Sequence, residues 1–185
     1  MVSQVHSEAE TKMRKSEEAL KKDLAAIRTG RASPSLLDHL RVDYYGTPTP
    51  VQQVANVSVP DPRMIVIQPW DRSMLAVIEK AVLKSDLGLM PTNDGNVIRL
   101  PVPPLTEDRR KELAKMVRKR VEEGRISLRN IRRDAIEEFR RMEKDKEISA
   151  DDNKRAQDQL QKLTNAFTAE VDKIGQSKEA ELLEI

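Results

Sequence analysis

Residues 103–144 read PPLTEDRRKELAKMVRKRVEEGRISLRNIRRDAIEEFRRMEK. Pro103 and Pro104 close whatever precedes them. Thr106 then offers a hydroxyl N-cap, and Glu107 and Asp108 place negative charge in the first turn, where the helix dipole favours it. From Leu113 onward apolar residues return at threes and fours: Val117, Val121, Leu128, Ile131, Ala135, Phe139 and Met142, with Gly124 in the same row. That spacing marks one face of an α-helix, and no proline interrupts it. The stretch predicts a helix from Thr106 to Lys144, roughly 60 Å long at about 1.5 Å per residue. Its stripe is a narrow, heptad-like seam, which must be buried against partners of the same kind.

The partners lie on either side in the sequence. Downstream, Asp145–Ile148 reads as a turn. Ser149 caps a further helix, with Asp152 three residues on in a capping-box arrangement. Ala156, Leu160, Leu163, Phe167, Val171, Ile174 and Leu182 form its stripe. Upstream, Val5, Ala9, Met13, Leu20, Leu24 and Ile27 repeat in the same way, Ser16 fills the gap, and Gly30 is a natural stop. The short turn makes the last two helices antiparallel neighbours. The first must return across everything between residues 31 and 104. The helical domain is therefore discontinuous, residues 1–30 plus 105–185.

The intervening segment has another texture. All ten prolines lie between Pro34 and Pro104. Leu40, Val42 and Tyr44 alternate with Arg41, Asp43 and Tyr45, a period of two. Gly46-Thr47-Pro48-Thr49-Pro50 breaks the chain. Val51–Val59, Met64–Gln68 and Val97–Val102 are further strand candidates, Ser73–Lys84 a short helix, and Asn93-Asp94-Gly95-Asn96 a turn. The fold class expected is α+β: an elongated antiparallel three-helix bundle with a small α/β domain inserted at 31–104. Two short chain crossings lying side by side would join them as a hinge.

Composition narrows the function. The chain has 185 residues, of which 35% are charged, 38% hydrophobic and 3% aromatic, and its net charge is +2. Long solvated helices absorb charge in this way. Without cysteine there is no disulfide, thiolate nucleophile or sulfur-ligated metal. His6 and His39 are too few for a histidine-rich metal site and read as surface residues. Asp151-Asp152 reads as helix-start acid. No phosphate loop, dinucleotide fingerprint, nucleophile elbow or HExxH motif occurs, so no catalytic residue is expected. The N-terminus lacks the apolar core of a secretory signal. The longest apolar run, Met64-Ile65-Val66-Ile67, is far too short for a membrane helix. These features describe a soluble protein of the cytosol. Trp70 and Tyr44-Tyr45 suit either base stacking or packing.

One feature stands out. Residues 105–133 hold eleven Lys/Arg and five Asp/Glu, whereas residues 134–185 hold nine and fourteen. At about 100° per residue, Arg118, Arg125, Arg129 and Arg132 fall within an arc of about 60° beside the apolar stripe. Eight of the eleven cations are arginine, whose planar fork suits phosphate. Such a ridge is either a binder of a nucleic-acid backbone or a solvated face whose arginines pair with the acids of the last helix.

Several short stretches resemble one family. They are Arg28-Thr29-Gly30-Arg31-Ala32-Ser33-Pro34, Asp43-Tyr44-Tyr45-Gly46-Thr47-Pro48-Thr49-Pro50, Ser85-Asp86-Leu87-Gly88-Leu89 and Asn93-Asp94-Gly95. Ile98-Arg99, Pro103-Pro104-Leu105-Thr106-Glu107, Arg129-Asn130-Ile131-Arg132-Arg133-Asp134 and Lys178-Glu179-Ala180-Glu181-Leu182 follow. In order and spacing they resemble the bacterial ribosome recycling factors from end to end. Met90 departs, since the family often has asparagine there. The resemblance implies an L-shaped molecule without catalysis or cofactor of its own, working as a cytoplasmic monomer and binding no membrane. It implies a factor lying on the large-subunit ribosomal RNA of a spent ribosome, which elongation factor G with GTP then drives to part the subunits. Carried over residue by residue, it implies RNA contacts at Arg129 and Arg132, then at Arg110 and Arg133, with Arg125 and Arg118 on the same ridge. Arg28 and Arg31 flank the hinge, where either RNA contact or linker geometry explains them, and Gly30, Arg31, Pro103, Pro104 and Leu105 are the hinge positions.

Overall fold

The structure is a computed structural model, and it describes residues 1–184. The class is α+β. The chain forms two compact units: Met1–Arg28 together with the residues from Thr106 onward, and Thr29–Leu105.

In the first unit, helix α1 spans Val2–Ala25. It stops before Gly30, where the sequence places its end. The Ala26 amide donates to the Lys22 carbonyl and the Ile27 amide to that of Leu24, which tightens the last turn. Ile27 is still buried, so the apolar stripe outlives the helix that carries it.

The second unit follows. Strands β1 (Arg41–Tyr44) and β2 (Thr47–Pro50) form a two-stranded hairpin. Strands β3 (Ala55–Asp61) and β4 (Met64–Pro69), helix α2 (Leu75–Lys84), and strands β5 (Thr92–Asn93) and β6 (Ile98–Pro101) come next. The four strands make an antiparallel sheet in the order β3-β4-β6-β5. Strand β2 was read from the sequence as a break. The pairing Arg41 with Pro50 and Asp43 with Pro48 explains the difference. Val51 donates its amide to Leu40, so the alternate positions Pro48 and Pro50 point their nitrogens away from β1 and lose no ladder bond. Tyr45 and Gly46 form the two-residue turn with φ of 49° and 86°, the primed turn that matches strand twist. The Asp43 carboxylate accepts from the Gly46 amide at 2.7 Å and steadies it. The strand expected from Val51 begins later, because Val51–Gln53 turns as a single 3₁₀ turn. Val42, Ile65, Ile67, Ile78, Val82, Ile98 and Leu100 share one core.

The chain then returns to the first unit through α3 (Glu107–Lys144) and α4 (Ala150–Leu183). Thr106 caps α3, its hydroxyl accepting from the Arg109 amide at 3.1 Å. Ser149 and Asp152 cap α4 reciprocally. Between them, Lys146 at φ 60° lets the Glu147 amide reach the Met142 carbonyl at 2.8 Å and its own amide reach Glu143 at 3.0 Å. This is the Schellman ending of a helix, with lysine where glycine is usual. The three helices bury Met13, Leu20, Leu24, Val117, Leu128, Phe139, Leu160 and Val171 against one another. The gap at Ser16 is filled by a 2.7 Å hydrogen bond to Ser127 of α3. Glu17 is also turned inward, 9% exposed, with Lys21 3.6 Å from its carboxylate. At Gly175 the helices come so close that an added Cβ would lie 2.5 Å from Val121 Cγ2.

Candidate functional site

A charged edge runs along the seam between α3 and α4. The rise of about 1.5 Å per residue puts every seventh residue of α3 on nearly the same side, about 10 Å apart. Arg118, Arg125 and Arg132 occupy three such positions, and each reaches across to α4. Arg118 Nε donates to Glu179 Oε1 at 2.8 Å. Arg125 Nε donates to Asp172 Oδ1 at 2.8 Å, and its Nη2 lies 2.6 Å from the same oxygen. Arg132 Nη1 donates to the neutral Gln161 Oε1 at 2.7 Å, and Gln161 is oriented by its own 2.8 Å bond to Asn165.

Glu122 ties Arg129 to this line. Its carboxylate accepts from Arg129 at 2.7 Å and from Arg125 at 3.2 Å. These bonds, that to Arg125 foremost, pull the Glu122 carboxyl below its ordinary value. Asp172, then Glu122, hold the Arg125 guanidinium above its own. Arg133 sits one residue further round, exposed, with Asp134 3.7 Å away. Arg110 lies half-buried in the first turn of α3, outside the line. Arg28 is an exposed residue at the end of the first unit, and Arg31 an exposed residue of the second.

The pairing with α4 belongs to the alternative in which the ridge is a solvated, neutralised face. It holds at Arg118 and Arg125. It does not extend to Arg132, whose partner is an amide. Asp172, Glu179, Gln161 and Glu122 also belong to this site, and no sequence motif marks them. The available signal was their register: 179 and 172 differ by seven, as do 118 and 125.

Within the second unit, Gly30 has φ 77°, and an added Cβ there would lie 3.0 Å from Leu105 Cγ. Its two chain crossings thus touch at Gly30 and Leu105. Pro103 and Pro104 are exposed. Trp70 and Tyr45 are 71% and 78% exposed, so neither is a core residue. Tyr45 meets Tyr44 edge-to-face at 4.7 Å and donates its hydroxyl to Asp71 at 3.4 Å. His39 is exposed and His6 half-buried on α1. Among the described residues no group of three or more His, Cys, Asp or Glu is placed to hold a metal ion. Among the same residues no helix is long and apolar enough to cross a membrane.

The profile of the ribosome recycling factor family matches residues 20–183. The chain belongs to that family. It is 57% identical over 185 residues to the ribosome-recycling factor of Dehalococcoides mccartyi strain CBDB1, covering all of both chains. It is 54% identical to that of Syntrophomonas wolfei subsp. wolfei, again over the full length of both. Among solved structures, the solution structure of a ribosome recycling factor superposes with a TM-score of 0.78 at 42% identity, over 100% of this chain and 98% of that one. The T. thermophilus ribosome recycling factor, placed with E. coli elongation factor G on the E. coli post-termination complex, superposes with a TM-score of 0.66 at 46% identity over all of both chains. As a ribosome recycling factor, the chain is a translation factor and not an enzyme.

Proposed function

We propose that this protein binds the large-subunit ribosomal RNA through the arginine line of α3 and, with elongation factor G and GTP, splits post-termination ribosomes into subunits for recycling. The observation that carries the RNA reading is the row Arg118, Arg125, Arg129 and Arg132 on one side of a single long helix, ending at an arginine held by an amide and not by an acid. Guanidinium groups spaced along a rod bind phosphates without reading bases. Arg133 and Arg110 extend the basic surface, and Arg28 and Arg31 add charge near the ends of the two units. The T. thermophilus relative, bound with E. coli elongation factor G to the E. coli post-termination complex, supports the partners.

The bundle unit supplies the RNA contacts, and the crossings at Gly30, Arg31, Pro103, Pro104 and Leu105 serve as the hinge about which the small unit swings. The contact of Gly30 with Leu105 supports a narrow, two-strand pivot. The factor works in the cytoplasm as a monomer.

The test is subunit splitting. Post-termination ribosomes receive elongation factor G, GTP and either the wild-type protein or Arg132→Ala, and light scattering follows dissociation. The wild type splits the ribosomes. The variant binds weakly and splits poorly while its circular dichroism is unchanged. Equal splitting by both would remove Arg132 from the interface. Failure of the wild type with its own organism's translocase would overturn the recycling reading.

A further inference from the structure

Arg118, Arg125 and Arg132 form three rungs across the same seam that differ in charge. Each arginine stands seven residues from the last and reaches a side chain of α4. Two rungs end on carboxylates, Glu179 and Asp172, and the third on the amide of Gln161. Neither carboxylate pair is dry. The side chains of Arg118 and Glu179 are 71% and 30% exposed, and those of Arg125 and Asp172 39% and 37%. Water-accessible pairs of this kind are weak. A phosphate presented to the same guanidinium offers a bidentate, charge-assisted alternative. The carboxylates therefore occupy the donors that a phosphate would use, at a strength that permits exchange.

We infer that Asp172 and Glu179 are exchangeable counter-anions of the RNA-binding line: they hold Arg125 and Arg118 in register and limit the affinity, while Arg132 is the rung that remains cationic. This rests on the RNA reading given above and adds to it two α4 residues that set how tightly the line binds. Asp172 and Glu179 are positioning residues, acting through the arginines. When a phosphate displaces one of them, the released carboxylate recruits a cation from solution. That uptake offsets part of the counterion release that drives association. The wild-type protein should thus bind more weakly, and with a shallower salt dependence, than its arginine count implies.

The experiment measures binding of the labelled full-length chain to purified large ribosomal subunits at a series of KCl concentrations. Four proteins are compared with the wild type: Asp172→Asn, Asp172→Asn with Glu179→Gln, Gln161→Glu and Arg132→Ala. Each carboxylate removed should tighten binding about two- to fivefold, the scale of an exposed ion pair. It should also steepen the slope of log affinity against log salt by about 0.7–0.9. Gln161→Glu, which gives the third rung a carboxylate, should weaken binding and flatten the slope. A purely structural role for the acids would leave the slope alone. If the amide variants keep wild-type affinity and slope, or bind more weakly, while Arg132→Ala still loses binding, the counter-anion assignment is wrong and the RNA reading stands. If Arg132→Ala binds like the wild type, the RNA reading fails and this inference fails with it. Circular dichroism of each variant separates loss of helix from loss of contact.

Discussion

Along α3 and α4 the buried residues come from stripes of period near 3.6, and neither helix contains a residue of positive φ. In the small unit Gly30, Tyr45, Gly46, Gly88 and Gly95 all have positive φ, and the core is assembled from several short elements. The bundle is a structure of repetition, and the small unit one of punctuation. A repeating stripe uses about a third of each helix surface and leaves the remainder free. That remainder is where α3 carries its arginines. The small unit spends its sequence on turns and core, and residues 31–104 hold only seven basic and seven acidic residues.

The sharpest test of separate cores is to empty each. Phe139 is fully buried in the bundle and Ile67 in the small unit. Phe139→Ala should cost about 3–5 kcal/mol and Ile67→Ala about 2–5 kcal/mol. Native-state hydrogen exchange should show the first speeding exchange in α3 and α4, and the second in β3, β4 and β6. Uniform loss of protection across both units in either variant would break the comparison.

A smaller effect probes the repetition itself. Two glycines interrupt the stripes of the long helices, and only one is needed for close approach. At Gly175 a Cβ would lie 2.5 Å from Val121 Cγ2, whereas at Gly124 the nearest atoms, on Val171 and Leu20, are 3.5 and 3.6 Å away. Gly175→Val should destabilise the bundle by about 1–3 kcal/mol through overpacking. Gly124→Ala should stabilise it by about 0.5–1 kcal/mol, because the helix loses a flexible residue without a clash. Thermal unfolding measures both, and the opposite signs are the point of the pair.

The smallest effect concerns a turn. Asp94 accepts the amides of Val97 and Asn96, each at 2.9 Å, and pairs with Arg99. Those bonds, the Val97 amide first, lower its pKa from 3.8 to about 2. A carboxylate depressed in the folded state stabilises it fully above pH 3.8, and that contribution disappears as pH falls toward 2. Carboxyl-carbon NMR should place the Asp94 midpoint near 2. A midpoint near 4 would mean that the turn is open in solution, and punctuation would then matter less here than proposed.

The two regions were also unequally legible. The α3–α4 turn at Asp145–Ile148, the caps at Thr106 and Ser149, and the stripes could be read directly, because capping and periodicity are local properties of a helix. In the small unit, β2 was misread as a break. Prolines exclude themselves from a ladder only when their nitrogens face the partner strand, and which way they face depends on register. The Tyr45-Gly46 hairpin carries tyrosine at a position of positive φ, where asparagine or glycine would have signalled the turn.

By itself the sequence determined the α+β class, the discontinuous pattern of helices around a proline-rich insert, and the gathering of Arg118, Arg125, Arg129 and Arg132 on one side of α3. Each follows from spacing along a single element. Only the tertiary structure decided what those arginines face. Asp172, Glu179 and Gln161 lie on another helix, and only the packing of α4 on α3 brings them to the arginines. Which side chains meet across the seam depends on the axial register of α3 against α4, seen in the pairs Arg118 with Glu179, Arg125 with Asp172 and Arg132 with Gln161, and no single helix contains that information.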